Sequence, residues 1–272
     1  MKTILVATDF SSSAKNALNY AVGMALSIKA SIYLLHVYPI PGSYSEMPLE
    51  INIEDLKQSA EQELAKLKYD LTLRTNEKLS ITTKVTIGSF YDELSTACEA
   101  LKPYTVVMGC QGTTAAERFV FGGHSVYAMK HLQWPLITVP LSARYASIKK
   151  IALACEFKED ADSLPLDEIT LMVNNFHAEL HIVNTGKMGE FNLDLVFESG
   201  ILQEKLKELK PVFHFLTVDN IDEGIITFAN ENAIDLLIVL PKRYRLPDIL
   251  VHRSNTKQFV LHSHVPVLAL HG

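Results

Sequence analysis

The chain starts twice. Ile4-Leu5-Val6-Ala7-Thr8-Asp9-Phe10 near the beginning parallels Ile151-Ala152-Leu153-Ala154-Cys155-Glu156-Phe157, each an apolar run closed by an acid and a phenylalanine. Trp134-Pro135-Leu136-Ile137-Thr138-Val139 parallels Val265-Pro266-Val267-Leu268-Ala269-Leu270 in the same way. A constant offset aligns a fourth strand, the loop after it and a fifth strand in both halves. Repetition over this length is duplication of whole domains, not of short stacked units. It predicts a first unit over residues 1–141 and a second over 148–272, linked by the polar-leaning stretch Ser142–Ser147.

Within the first unit, strand and helix patterns alternate. Thr3–Thr8 reads as a buried strand, with a serine run capping a helix of about Ser13–Ser27. Ser31–Val37 is a second strand, and Pro39–Pro48 a loop by its Pro, Gly and Ser content. A charged amphipathic helix follows over Glu54 to about Arg74, with Leu56, Leu64, Leu67 and Leu71 facing inward. Thr82–Ile87 is a third strand and Asp92–Leu101 a third helix. In the second unit, Leu180–Val183, Val212–Leu216 and Asp235–Leu240 repeat strands two to four, with a helix near Leu193–Leu209. Such alternation implies parallel sheets with helices on both faces. Ligands of these sheets bind at the carboxyl ends of the strands, where strand order reverses.

The chemistry concentrates in residues 104–139. Tyr104–Met108 is a strand. Gly109 and Gly112 follow, then nine residues, then Gly122-Gly123-His124-Ser125, a helix of about Ser125–Leu132, and the strand Pro135–Val139. Glycine admits positive φ and close backbone approach. Ser125 is placed to cap the helix, and unpaired N–H groups at a helix start attract anions. Together these residues can form a phosphate cradle, or the glycines can simply make a turn. At the carboxyl end of strand one, Asp9 has the same two readings: contact with a ligand, or a cap on the following helix.

The spacing Gly-x-x-Gly, nine residues, Gly-Gly-His-Ser resembles the ATP-binding motif of the universal stress protein family. ILVATDFSSSAKNAL resembles that family's opening strand and helix, LLHVYP its second strand, and Thr86–Phe90 the turn into its third helix. One residue departs: Gly123 stands where the family carries a hydroxyl, so a side-chain phosphate contact is missing. The resemblance implies two tandem Rossmann-like domains of the adenine nucleotide alpha hydrolase type. Each would hold a five-stranded parallel sheet of order 3-2-1-4-5. It implies ATP, ADP or AMP as ligand in the first unit, with Mg²⁺ as an accompanying ion. The implied contacts are Asp9, Val37, Gly109, Gly112, Gly122, Gly123, His124 and Ser125. Asp9 would meet a ribose hydroxyl, the adenine amino group or Mg²⁺, and the backbone of His36 and Val37 an adenine edge. The His36 side chain itself reads as packing. The role implied is that of a nucleotide-linked stress-response regulator with a protein partner the sequence does not name. The two units are expected to pair through their fifth strands, and two chains to be capable of forming a homodimer.

The second unit has lost the cradle. Gly109 corresponds to Leu240, Gly112 to Arg243 and Gly122 to Arg253, while Glu156 replaces Asp9. Lys242, Arg243, Arg245, His252 and Arg253 cluster there, either as an anion site or as a solvated loop paired with acids such as Asp248. The second unit therefore reads as a degenerate copy that supports the first. No catalytic residue is assigned: the chain has no G-x-S-x-G elbow and no long Gly-Lys-Ser/Thr loop. Slow ATP hydrolysis, and a ligand-free scaffold, are the competing readings. His262-Ser263-His264 lacks the companions a metal site needs, so no metal is assigned. A formal charge of −6 argues against general nucleic-acid binding. Cys98, Cys110 and Cys155 show no paired spacing and read as reduced thiols. That usage gives a cytoplasmic location as the expectation, and no run reaches the length of a membrane span.

Overall fold

The computed structural model describes residues 2–38, 53–110, 122–155, 164–186, 193–218, 220–241, 259 and 262–271. The first half runs β1 (Thr3–Ala7), α1 (Ser12–Ile28), β2 (Ser31–Tyr38), α2 (Ile53–Arg74), β3 (Ile81–Ile87), α3 (Phe90–Leu101), β4 (Thr105–Cys110), α4 (Gly122–His131) and β5 (Leu136–Pro140). The second half runs β6 (Lys150–Ala154), α5 (Leu166–Phe176), β7 (Glu179–Gly186), α6 (Leu193–Lys205), β8 (Val212–Thr217), α7 (Ile221–Glu231), β9 (Leu236–Val239) and β10 (Val267–Ala269).

The strands form one ten-stranded sheet of order β3-β2-β1-β4-β5-β10-β9-β6-β7-β8. Read inward from its outer edge, each half has the expected order 3-2-1-4-5, and all pairs within a half are parallel. Strands covered on both faces read as near-continuous apolar runs, as β9 does and as β1 and β5 do apart from Thr3 and Thr138. Helices α1 and α2 share one face with α5 and α6, through Ala21, Leu64, Ile169 and Leu202. Helices α3 and α4 share the other with α7, through Leu94, Met129 and Phe228. Each face thus carries one apolar cluster that crosses from half to half.

The halves meet where β5 pairs antiparallel with β10: Thr138 opposite Val267, Ile137 opposite Leu268, Leu136 opposite Ala269. An exposed strand edge invites unwanted pairing; here each half covers the other's fifth-strand edge. Antiparallel pairing also sends the carboxyl ends of the two sets of strands to opposite sides of the molecule. The link packs firmly on α1. The Asn16 amide donates to the carbonyls of Pro140 at 2.9 Å and Ala143 at 3.0 Å, and Arg144 donates to Asn16 Oδ1 at 2.7 Å. Tyr145 lies against Gly23, where an added Cβ would come within 2.2 Å of its ring, and the Tyr145 hydroxyl donates to Ser27 Oγ at 2.7 Å.

Duplication extends to individual bonds. Thr8 N–H donates to Leu35 O at 2.9 Å, and Cys155 N–H to Val183 O at 3.1 Å. Val106 N–H donates to Pro135 O at 2.8 Å, and Leu237 N–H to Pro266 O at 3.0 Å.

Because Ile137 and Leu268 are fully buried at the centre of the junction, Ile137→Asp is expected to cost roughly 3–5 kcal/mol, the scale of an unpaired buried charge. Both halves should lose stability together in urea melts. Thr82→Asp, on the exposed side of β3, should change stability by no more than about 0.5 kcal/mol.

Candidate functional site

Strand order reverses between β1 and β4. The chain builds outward from β1 through β2 and β3 on one side, and from β4 to β5 on the other. Register puts the carboxyl ends of these strands level: Ala7 pairs with Leu35, and Val6 with Val107. Asp9, Val37 and Gly109 therefore lie at one end of the sheet, where parallel sheets of this order form their crevice, and α4 starts from the same end after β4. Gly112 and residues 113–121 lie outside the described residues.

The β1–α1 turn is the most constrained part of this crevice. Asp9 is exposed, and its Oδ1 accepts from Ser11 N–H at 3.0 Å. The helix cap is Ser11, whose Oγ accepts from Ala14 N–H at 3.2 Å. Asp9 thus shapes the turn rather than capping the helix, and it presents a carboxylate at the rim. Phe10 has φ of 64°, a left-handed conformation that costs an aromatic residue strain. Its N–H donates to Thr8 Oγ1 at 3.1 Å. Beneath the turn, His36 is buried between the rings of Phe10 and Tyr38, at 4.5 Å and 4.8 Å between centroids. The His36 Nδ1 lies 2.7 Å from Thr8 O. A carbonyl only accepts, so Nδ1 carries the proton.

Gly109 is a glycine for a reason inside the fold. A Cβ there would sit 2.5 Å from the carbonyl carbon and oxygen of Ser13 and 2.9 Å from Ala14 N. The missing side chain lets the first turn of α1 close onto β4. Gly123 is different: it is exposed, and a Cβ there would meet no atom within 4 Å among the described residues. Helix α4 begins at Gly122, three residues before the start expected from Ser125. Ser125 lies inside the first turn, is 3% exposed, and donates its hydroxyl proton to Gly109 O at 2.9 Å. It is a clamp between helix and strand instead of a terminal cap. The exposed His124 ring lies 4.9 Å from that of Phe90.

What this arrangement can do chemically follows from its donors. The start of α4, where Gly123 carries no side chain, fits a phosphate. The Asp9 carboxylate fits a hydroxyl, an amine or a divalent cation. Among the described residues, no group of three or more His, Cys, Asp or Glu residues is placed to hold a metal. Burial pushes the Cys98 and Cys110 thiols up to about 12, which keeps them protonated and unreactive at neutral pH.

At the equivalent crevice of the second half, Asn184 donates to Cys155 O at 3.1 Å. Leu240, the counterpart of Gly109, follows β9 directly. The basic cluster from Lys242 to Arg253, Glu156, and the helix start expected at Ser254-Asn255-Thr256 lie outside the described residues. Sequence reading missed a polar pair farther out on this sheet: His181 Nδ1 and His214 Nε2 are 2.9 Å apart, with stacked rings. His181 is buried, and its Nε2 lies 3.5 Å from Glu179 Oε2. The pair shares one proton between the facing nitrogens, so a doubly charged pair would aim two donors at each other. Desolvation, and then the neighbouring His181, hold His214 below the usual imidazole value.

The family model described as "Universal stress protein family" matches residues 1–140. A universal stress protein of Methanocaldococcus jannaschii is 27% identical over 141 residues, 51% of this chain and 81% of that one. Among solved structures, a universal stress protein from Archaeoglobus fulgidus superposes with a TM-score of 0.77 at 16% identity, covering 99% of this chain and 98% of its own. A protein of unknown function from Pseudomonas aeruginosa gives 0.61 at 13% identity, covering 100% and 92%. At such identities the solved structures speak for the fold alone, and they do so over the full length of both halves.

Two measurements check this geometry. Gly109→Ala should destabilise the ligand-free protein by at least about 1–3 kcal/mol, because backbone rather than a movable side chain blocks the methyl; thermal melting reads this directly. For His214, the folded value lies below the unfolded one. Its contribution to stability is therefore present above about pH 6.5 and lost as pH falls through and below that value. Urea midpoints should drop between about pH 7 and pH 5, and the drop should shrink in His214→Phe.

Proposed function

The chain belongs to the universal stress protein family, and we propose that it is an adenine-nucleotide-binding regulator whose first half, residues 1–141, holds the ligand. The observation that carries this reading is the placement of three unlike features at one end of the sheet. These are the exposed Asp9 carboxylate at the end of β1, the end of β2 at Val37, and the open, glycine-marked start of α4. Asp9 would take the ribose or amino end of the nucleotide, or share Mg²⁺ with its phosphates. The backbone of Val37 would line the base, and Gly109, Gly112, Gly122 and Gly123, with His124 and Ser125 beside them, would form the phosphate end. ATP supplies the charge that a helix start attracts, and ADP or AMP would place fewer phosphates on the same donors.

Two features limit what this site does. Gly123 supplies backbone without the hydroxyl the family motif carries, and the Ser125 proton is already given to Gly109 O. Phosphate binding therefore falls on backbone N–H groups. With its thiols protonated and no assigned nucleophile–base pair, occupancy rather than turnover is the output we propose, read by a protein partner. In the second half, residues 148–272, bulky counterparts at Leu240, Arg243 and Arg253 replace the glycines. That half acts as the built-in partner of the first through the β5–β10 pair, in place of a second chain.

Mass spectrometry of nucleotides released on denaturing the purified protein, with ATP, ADP and AMP titrations, tests the reading. An adenine nucleotide should be found or should bind. Gly112→Arg, which copies the second half's residue into the first, should abolish binding. Gly123→Ser, which restores the hydroxyl of the family motif and meets no described residue, should tighten it by up to about tenfold, the scale of one hydrogen bond to a charged group. No binding at millimolar ATP with Mg²⁺ would reject the reading in favour of a ligand-free scaffold, and turnover above a buffer blank would make the protein a slow ATPase.

A further inference from the structure

We infer that His36 is a positioning residue, which fixes Asp9 in the crevice by holding the Thr8 carbonyl and the Phe10 ring. The identity of the ligand rests on the nucleotide reading above; the mechanism rests on the turn itself.

The turn from Thr8 to Ser11 is not one the chain would adopt unaided. Phe10 sits at φ of 64°, and such backbone strain persists only where neighbouring contacts over-determine it. Three contacts come from within the turn: Phe10 N–H to Thr8 Oγ1, Ser11 N–H to Asp9 Oδ1, and Ala14 N–H to Ser11 Oγ. His36 supplies the fourth and fifth from the next strand. Its Nδ1–H donates to Thr8 O at 2.7 Å, and its ring packs 4.5 Å from that of Phe10. Tyr38 braces the other side of the imidazole, edge-on at 4.8 Å. Tyr38 is itself tied to α2, its hydroxyl donating to Leu56 O at 2.8 Å. His36 is 8% exposed, so removing its donor would leave a carbonyl at a site that water reaches poorly, which is costly.

The duplication identifies which property of His36 matters. β1 pairs Ile4 with Ile32, and β6 pairs Ile151 with Leu180. Counting on from these partners, Thr8 matches Cys155 and His36 matches Asn184. At that position Asn184 donates to Cys155 O at 3.1 Å. An imidazole and a carboxamide share no acid–base chemistry. What they share is an N–H aimed at the carbonyl of the residue just past the half's first strand. The retained function is therefore donation, and His36 acts on the ligand through the turn instead of by touching it or moving a proton.

The test uses the full chain with His36→Asn, His36→Leu, Asp9→Ala and the double variant His36→Leu/Asp9→Ala. Amide hydrogen exchange at Phe10 and Ser11 is measured without nucleotide, and ATP affinity by titration. His36→Leu is expected to speed exchange in the turn and weaken ATP each by about tenfold, the scale of one buried hydrogen bond. His36→Asn should stay within about twofold of the parent in both, because it recreates the second half's bond. In the Asp9→Ala background, His36→Leu should have little further effect on ATP, since groups acting as one unit are not additive. The inference is overturned if His36→Leu leaves turn exchange unchanged, if His36→Asn fails like His36→Leu, or if the two affinity losses multiply. Absence of ATP binding by the parent protein would defeat the nucleotide reading alone. The exchange arm would still decide whether His36 holds the turn.

Discussion

The antiparallel pair between β5 and β10 is the contact on which the molecule's arrangement depends. Each half by itself would end in a fifth strand with one row of unpaired backbone groups and a buried-type sequence, Leu136–Pro140 or Val267–Ala269. Joining those edges satisfies both rows at once and lets the apolar clusters above and below the sheet run continuously across the seam. The same contact sets the relation of the two crevices. Because the pair is antiparallel, the carboxyl ends of the two strand sets face opposite ways, so the halves are joined through their cores and not through those ends.

That separation gives physical meaning to the divergence of the second half. A crevice on the opposite side can lose its glycines without disturbing the first, provided its core and fifth strand are kept. The bonds retained in both halves are those of the frame: Thr8 to Leu35 and Cys155 to Val183, Val106 to Pro135 and Leu237 to Pro266. The residues not retained are the glycines of the loop after β4. Gly109 shows that the two sets overlap. Its hydrogen lets the Ser13 backbone come close, so this glycine serves the packing of α1 on β4 as well as the loop that begins there. In the second half Leu240 occupies the corresponding place, and β9 ends one residue earlier, at Val239.

Much of the fold was legible because it is written in periodicity. Apolar runs, helical spacing and a repeated strand pattern gave both halves their order of elements, while the pairing of the fifth strands was expected from the family resemblance. For the candidate site, the glycines and the acid were legible as marks, and the register puts Asp9, Val37, Gly109 and the start of α4 at one end of the sheet. Individual roles were less so. Ser125 looked like a helix cap, yet lies within the first turn of α4 and bonds to Gly109 O, since the helix starts earlier than its apolar pattern does. Asp9 looked like a cap or a ligand contact; the cap is Ser11. The His181–His214 pair was invisible, because its members are 33 residues apart on adjacent strands and no local pattern links them.

What the sequence by itself determined is the architecture, its duplication, and the asymmetry between a glycine-bearing loop and a bulky one. These are properties of residue type and spacing, and they hold before any contact is made. Only the tertiary structure decided what each polar group does. The His36 proton is fixed on Nδ1 by a carbonyl from another strand. The Ser125 hydroxyl is spent on a carbonyl sixteen residues away. Gly109 is required by a helix on the other side of the strand. Hydrogen bonds and close packing depend on which atoms meet within a few ångströms, and in a parallel sheet those atoms come from distant parts of the chain.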